Sequence, residues 1–282
     1  MVVSVNSRKK QQKKSFDELL ADLRGSNSEK VRYNAARIFG EMGDSKAVEP
    51  LIDVLKNDKN GSVRLYAARA LGELGDTSAT MPLIESLRED RNVDVRVRAA
   101  RALGRLGGQE VVEPLVEALN DENSQVCITA TEALIEVGDL ATEALMSTLN
   151  HEKVNVRCDA TRALGEIGNP IAVDKIVEML KDDWVNVRIY AVTSLGKLGD
   201  KKAVPALIEV MKNTQENDLV RAGAAAALGV LRDQRALLPL RELIMAADEL
   251  GELEDTALKS FKKIMAANWQ TIPGAAPVKK AE

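Results

Sequence analysis

One stretch, Val63-Arg-Leu-Tyr-Ala-Ala-Arg-Ala-Leu-Gly-Glu-Leu-Gly-Asp76, decides the fold because versions of it return along most of the chain. Successive versions start 30 to 33 residues apart, as counted from their first valine. The starting valines are Val31, Val63, Val95, Val126, Val156, Val187 and Val220. A fixed period between about 20 and 50 residues is typical of a solenoid, in which stacked repeats bury one continuous core.

Each repeat predicts two helices. In the first, which we call the Val-Arg helix, Val63, Ala67 and Leu71 share one face, so we expect them in the core. Gly72 allows a neighbouring helix to approach closely, and Gly75 favours a left-handed helix end. The second helix of most repeats has a proline in its first turn, where a missing N–H costs little. These prolines are Pro50, Pro82, Pro114, Pro205 and Pro239.

The two ends of the repeat array carry their own signals. Ser15-Phe-Asp-Glu18 fits a capping box, which predicts a first helix that covers the open end of the stack. A last helix at about residues 252–267 is rich in Lys and Glu, as expected of a terminal cap. We therefore expect a mobile basic arm at 1–14, a solenoid at 15–267 and a disordered tail at 268–282.

The composition limits the classes of function. Of the 282 residues, 45% are hydrophobic but only 3% are aromatic, which argues against a pocket walled by aromatic rings. The net charge of −4 disfavours nucleic-acid binding by the chain as a whole. The two cysteines suggest no disulfide framework, so a reducing, cytoplasmic location is expected. No apolar run approaches 18 residues, so we expect no membrane span.

The repeat resembles a known family. Val-Arg-x-x-Ala-Ala-x-Ala-Leu-Gly-x-Leu-Gly-Asp, followed by Ala-Val-Glu-Pro-Leu-Ile-x-x-Leu, is similar to the HEAT-like repeats first defined in phycobilisome (phycocyanobilin) lyases. The resemblance covers about residues 15–267 and is close in five of the seven repeats. It implies an all-α, right-handed α-solenoid of about seven helix pairs with capping helices. It also implies a non-catalytic protein-binding scaffold or regulatory subunit, because most of the family are such proteins.

Two departures from the repeat suggest a structural ladder. The motif Arg is missing at Cys127 and the motif Asp is missing at Gly108, which lie in consecutive repeats. We expect the Asp of one repeat to bind the Arg of the next, so that losing one partner permits losing the other. The predicted pairs are Asp44–Arg64, Asp76–Arg96, Asp139–Arg157 and Asp200–Arg221.

A candidate binding surface lies on the outward positions of the Val-Arg helix, which we expect to form the inner, concave wall. The third repeat places Arg98, Arg101 and Arg105 on one face with no acid among them. Either Glu132 and Glu136 of the next repeat neutralise them, or they form a basic patch that binds an acidic segment of a partner protein. The candidate partner-binding residues are Tyr66, Arg69, Arg98, Arg101, Arg105, Arg162 and Tyr190. We expect the chain to be monomeric.

Catalysis has little support in the sequence. His151 is the only histidine, so a multi-histidine metal site is excluded, and we expect no metal or cofactor. The chain also resembles deoxyhypusine hydroxylase, which holds two irons with several His-Glu pairs, whereas His151-Glu152 is the only such pair here. Cys158 follows Arg157, which could lower the pKa of the thiol, but a buried structural cysteine is the simpler interpretation.

Two further alternatives stay open. In a bilin lyase or isomerase subunit, Tyr66, Tyr190, Trp184 and nearby arginines would hold a tetrapyrrole. Nucleic acid would bind through the basic arm and the arginines, but the net negative charge of the chain disfavours this alternative.

Overall fold

The computed structural model describes residues 14–246 and 251–268, which form helices and short 3₁₀ turns without any strand. The predicted arm and tail therefore lie almost entirely outside the described residues. The chain divides into two compact units, one ending at Leu106 and one beginning at Gly107.

The first unit contains the initial cap and the first helices of the repeat array. Its helices are α1 Phe16–Gly25, α2 Glu29–Met42, α3 Val48–Asn57, α4 Gly61–Leu74, α5 Thr80–Glu89 and α6 Val93–Leu106. Among its Val-Arg helices, α2 packs on α4 and α4 packs on α6.

The second unit continues the same alternation. Its helices are α7 Val112–Ala118, α8 Ser124–Val137, α9 Thr142–Thr148, α10 Val154–Ile167, α11 Val173–Met179, α12 Val185–Leu198, α13 Val204–Lys212, α14 Asp218–Leu231, α15 Leu237–Met245 and α16 Glu252–Asn268. The Val-Arg helices here are α8, α10, α12 and α14, and α16 packs on α14 as a closing cap. The predicted helix pairs with capping helices are confirmed.

The predicted core positions are buried. Val63, Ala67 and Leu71 of α4 have 0% of their surface exposed. Gly72 lies so close to α6 that an added Cβ would stand 2.7 Å from the Ala102 Cβ, closer than side chains normally pack. Gly75 ends α4 with φ 71°, a left-handed conformation that glycine adopts at low cost.

The start of the array is closed by the predicted capping box. The Glu18 amide donates to Ser15 Oγ at 3.3 Å, and the Ser15 amide donates to Glu18 Oε2 at 2.8 Å. Phe16 then meets Phe39 of α2 edge-on, with ring centroids 5.0 Å apart. At the other end, Asn268 is the last residue of α16 rather than part of a tail.

The motif aspartates have a local role that the sequence prediction missed. A 3₁₀ turn precedes each second helix, and Asp76 caps one of them by accepting the Ser78 amide at 2.9 Å. The same bond joins Asp44 to Lys46 and Asp200 to Lys202. The chain turns directly after the glycine that ends the Val-Arg helix, so each carboxylate lies next to the amide two residues further on. The predicted ladder therefore assigned these aspartates the wrong partners.

The motif arginines instead bind carboxylates in the loops between repeats. Arg64 Nε and Nη2 donate to the two oxygens of Asp90, each at 2.7 Å. Arg64 Nη1 also donates to the carbonyl of Asp58 at 2.8 Å. A loop aspartate thus binds the arginine before it through its side chain and the arginine after it through its carbonyl.

We call this chain of contacts the arginine relay. In the first unit it runs from Arg32 through Asp58, Arg64 and Asp90 to Arg96, whose Nη1 donates to the Asp90 carbonyl at 3.0 Å. In the second unit the equivalent ion pairs are Arg157–Asp182 and Arg188–Glu216, both at 2.7 Å. The predicted pairs Asp44–Arg64, Asp76–Arg96 and Asp139–Arg157 are therefore corrected.

The last predicted pair, Asp200–Arg221, is corrected as well. Arg221 binds Asp218 at 3.0 Å and the Met211 carbonyl at 3.1 Å, both beside its own helix. These acceptors flank the longer loop before α14, since Met211 lies in the last turn of α13 and Asp218 begins α14. Asp139 accepts from the Asn169 side chain at 3.1 Å.

Cys127 stands where the other repeats have the motif arginine, and of the relay contacts it keeps only the bond to the loop carbonyl. Its Sγ donates to the Asp121 carbonyl at 3.3 Å, which is the backbone bond that Arg64 Nη1 makes elsewhere. The loop position that would supply its carboxylate is His151, whose Nδ1 accepts the Lys153 amide at 3.1 Å. An arginine and its loop carboxylate are therefore lost together, as the cost of an unpaired buried charge requires.

The relay carboxylates are ionised because their hydrogen-bond partners lower the carboxylate pKa by more than burial raises it. Burial raises the pKa of Asp90, but the Arg64 guanidinium and the Asn92 amide together bring that pKa below its ordinary value. The same balance lowers the pKa of Asp58 and Asp182. Asp90 and Arg64 expose only 7% and 9% of their side chains, so each depends on the other for compensation of its charge.

Arg232 provides a test of the helix-end prediction. It replaces the stop glycine and is the one non-glycine residue with positive φ in the described part of the chain, at φ 51°. We expect Arg232→Gly to raise the free energy of unfolding by about 1 kcal/mol, because a left-handed non-glycine residue is strained. Urea denaturation followed by circular dichroism measures the change.

Gly199→Arg is the matched reverse substitution, since Gly199 ends α12 with φ 72°. It is expected to cost about the same free energy. A loss of stability in Arg232→Gly would contradict the strain argument.

Candidate functional site

Four of the predicted partner-binding arginines come together in the first unit. Between α4 and α6 lies a groove of about 150 Å³, which we call the basic groove. Its lining residues are Arg69, Gly72, Glu73, Arg98, Arg101, Ala102 and Arg105. Because Gly72 and Ala102 are small, the two helices are close and the long arginine side chains form the walls.

The charge of the basic groove is strongly one-sided. Glu73 is the only acid in its lining, and it accepts a hydrogen bond from Arg69 Nε at 2.8 Å. That hydrogen bond raises the pKa of Arg69 above its ordinary value. Arg98, Arg101 and Arg105 are spaced to share one face of α6, so three guanidinium groups line the groove from a single helix.

Two stacked tyrosines, one on α2 and one on α4, lie beside the basic groove. Tyr66 stacks on Tyr33 of α2, with ring centroids 5.2 Å apart and ring planes 19° from parallel. Tyr66 lies one turn before Arg69, so the two stacked tyrosine rings form an aromatic surface next to the arginines. Tyr33 was missed from sequence because it occupies the third motif position, whereas Tyr66 occupies the fourth.

Arg162 and Tyr190 belong to the second unit. Arg162 pairs with Asp159 at 3.5 Å on its own helix. Tyr190, 38% exposed, lies in a second groove of about 600 Å³ that also includes both cysteines. We call it the Ile–Cys–Ile groove after Ile128, Cys158 and Ile189, which are the third motif residues of consecutive Val-Arg helices. That shared motif position was the available sequence signal for this groove.

The cysteines are protonated thiols rather than activated ones. Burial raises the pKa of Cys158 to about 11, and nearby Asp159 and Asp182 add to the rise. Arg157 has the opposite influence, but it is smaller, and its guanidinium already binds Asp182. Burial also raises the pKa of Cys127.

The single histidine has a structural partner in its loop. His151 Nδ1 accepts the Lys153 amide, and its carbonyl accepts from Arg157 Nη1 at 2.8 Å. Within residues 14–246 and 251–268, no three His, Cys, Asp or Glu side chains are grouped in a way that could hold a metal ion. Over the same residues, no helix combines the length and the apolar character needed to cross a membrane.

The repeat architecture agrees with a comparison to protein families. The family model for HEAT repeats matches residues 16–92, 80–145, 140–188 and 185–262. The chain belongs to the HEAT-repeat family. No curated protein sequence matches the chain.

Solved HEAT-like structures resemble the chain at low sequence identity. The Escherichia coli protein YibA is 23% identical with a TM-score of 0.50, covering 89% of this chain and 93% of its own. A chain in the structure of the CpcE–CpcF complex of phycocyanin lyase from Nostoc sp. PCC7120 is 23% identical with a TM-score of 0.47, covering 94% of this chain and 100% of its own. Human deoxyhypusine hydroxylase in complex with glycerol is 22% identical with a TM-score of 0.41, over 89% and 96%. Likeness at this level concerns the fold alone.

The thiol pKa values predict slow labelling. In a Cys127→Ser variant, Cys158 should react with a disulfide reagent at pH 8 on the order of a hundredfold more slowly than a free thiol, because so little thiolate is present. The rate should rise steadily toward pH 11. Labelling in urea supplies the control, and equal rates in the folded and unfolded protein would contradict this assignment.

Proposed function

We propose that this protein is a non-catalytic scaffold or regulatory subunit whose basic groove binds an acidic segment of a partner protein. The observation that carries the proposal is the convergence of Arg69, Arg98, Arg101 and Arg105 in one groove of a chain with net negative charge. A local concentration of positive charge on an acidic protein favours a specific anionic partner over general binding to polyanions.

The packing of each unit supports placing this groove on the inner wall. Val-Arg helices such as α2, α4 and α6 pack closely on one another, whereas the second helices α3 and α5 contact each other much less. Closer spacing along one row of helices places that row on the shorter arc, which is the concave side. Concave walls of repeat proteins are extended binding surfaces.

The chemistry of the lining favours carboxylates. A guanidinium can bind a carboxylate through two parallel hydrogen bonds, and arginine and tyrosine are enriched among the residues that dominate binding energy. Arg98 and Arg105 lie two helical turns apart on α6, so an acidic segment running along the groove can meet both. The stacked Tyr66 supplies a rigid apolar edge beside them.

A tetrapyrrole is a poorer match for this surface. At about 150 Å³, the basic groove is smaller than the pockets of about 300–1,000 Å³ that hold drug-sized ligands. Trp184, one of the aromatic residues considered for that role, is 58% exposed and lies in neither groove. Tyr190 does lie in the larger groove of about 600 Å³, but none of the arginines that the structure describes, which could bind a propionate, lines that groove. A titration of the protein with bilin followed by absorbance tests this alternative directly.

The basic groove can be tested by removing its charge. We expect the triple variant Arg98→Ala, Arg101→Ala and Arg105→Ala to lose the partners that the wild-type protein captures from its native host. Removing three guanidinium groups eliminates both the charge and the paired hydrogen bonds. Quantitative affinity capture with mass spectrometry, repeated at two salt concentrations, measures the loss.

A variant with Lys46→Ala, Lys59→Ala and Lys30→Ala is the matched control, because it removes the same charge from the first unit away from the groove. Circular dichroism verifies that both variants keep their helices. If the folded triple arginine variant captures every partner of the wild type, the groove is not the binding surface.

A further inference from the structure

The Ile–Cys–Ile groove of the second unit has a regular construction. Ile128 on α8, Cys158 on α10 and Ile189 on α12 occupy the same motif position in three consecutive Val-Arg helices. Because α8 packs on α10 and α10 packs on α12, these side chains form a row that crosses the helices. Ile128 remains 43% exposed, so the apolar floor of the groove is open to solvent.

A carboxylate lies beside the centre of this row. Asp159 follows Cys158 directly and exposes only 20% of its side chain. Its cationic partner is Arg162, one turn away on the same helix. The distance from Arg162 Nη2 to Asp159 Oδ1 is 3.5 Å, which is long for a charged hydrogen bond. Burial raises the pKa of Asp159 and Arg162 only partly offsets this, so the carboxylate would gain from a closer cation.

The rest of the lining extends the same chemistry. Asp121 and Glu122 add two carboxylates, whereas Lys153 is the only cation in the lining. Asn155 and Asn186 stand at equivalent positions near the starts of α10 and α12, and both are exposed. Their amides can both donate and accept, which suits a ligand with an unpaired peptide backbone.

The spacing of the row favours an extended peptide. Neighbouring packed helices lie about 8–10 Å apart, so the three floor side chains repeat at roughly that interval. A polyproline II segment advances about 9 Å over three residues and presents every third side chain to the same side. Its backbone makes no internal hydrogen bonds, so side-chain amides such as those of Asn155 and Asn186 can satisfy it.

We propose that the Ile–Cys–Ile groove is a second, independent docking site, for an extended segment of a partner protein with aliphatic residues at every third position and a basic residue beside the central one. The aliphatic side chains would cover Ile128, Cys158 and Ile189. The basic side chain would bind Asp159, and Tyr190 would close one side. The site has the opposite charge preference to the basic groove and does not depend on it.

A small peptide array tests both the spacing and the charge. The probe is Leu-Pro-Ser-Leu-X-Pro-Leu, capped at both ends, in which X is Arg, Lys, Glu or Gln. We expect saturable binding of the Arg and Lys peptides to the full chain, and about tenfold weaker binding when X is Glu or Gln, since a hydrogen bond to a charged group is worth roughly 1.5–3 kcal/mol. Fluorescence anisotropy measures the affinities.

Variants locate the binding on the chain. Asp159→Asn should weaken binding of the Arg peptide about tenfold and abolish its advantage over the Gln peptide. Asp183→Asn, which makes the same charge change on an exposed loop residue, should leave binding unchanged. Ile128→Ser tests the apolar floor independently and should weaken all four peptides by a similar factor.

Three outcomes would overturn the proposal. One is that none of the four peptides binds saturably to a folded chain. The second is that Arg and Glu peptides bind equally well, or that Asp159→Asn changes nothing. The third is that deleting residues 1–13 strengthens peptide binding about tenfold, because the groove would then be occupied by the chain's own basic arm. The triple arginine variant should bind the Arg peptide normally, which separates this site from the basic groove.

Discussion

The arginine relay is the interaction on which the arrangement of the repeats depends. The helices themselves follow from small and aliphatic residues at fixed positions, but such surfaces pack with little directional preference. A guanidinium held by both oxygens of a loop aspartate is directional, and the same aspartate's carbonyl holds the next arginine. Each joint therefore fixes the angle between one helix pair and the next, and the stacking that creates the grooves follows from it.

Structural constraint and binding chemistry are separated within each Val-Arg helix. The valine, arginine, alanine, leucine and glycine positions are used by the core, the relay and the close helix contacts. The third, fourth, seventh and eleventh positions lie outside that core, apart from the buried Thr129, and they differ between repeats. The basic groove of the first unit and the Ile–Cys–Ile groove of the second are both built from these free positions, so one fold presents two surfaces of opposite chemistry.

The repeat period, the helix pairs and the capping box could be predicted from sequence because each depends on residues close together in the chain. The partner of Arg64 could not, because Asp90 lies beyond an entire second helix and the competing Asp76 was part of the conspicuous motif. A signal was nevertheless present: Asp58, Asp90, Asp121 and Asp182 each stand five residues before a starting valine. The arginines of the basic groove were identified from helical spacing alone, whereas the Ile–Cys–Ile groove needed the packing of three helices.

A pair of double-mutant cycles tests the relay most directly. Arg64→Ala and Asp90→Ala are combined in one cycle, and Arg64→Ala and Asp44→Ala in the other, with the free energy of unfolding measured by urea denaturation. The relay predicts a coupling energy of about 2 kcal/mol between Arg64 and Asp90, and almost none between Arg64 and Asp44. A coupling below about 0.5 kcal/mol for Arg64 and Asp90, or a larger one for Arg64 and Asp44, would contradict the account.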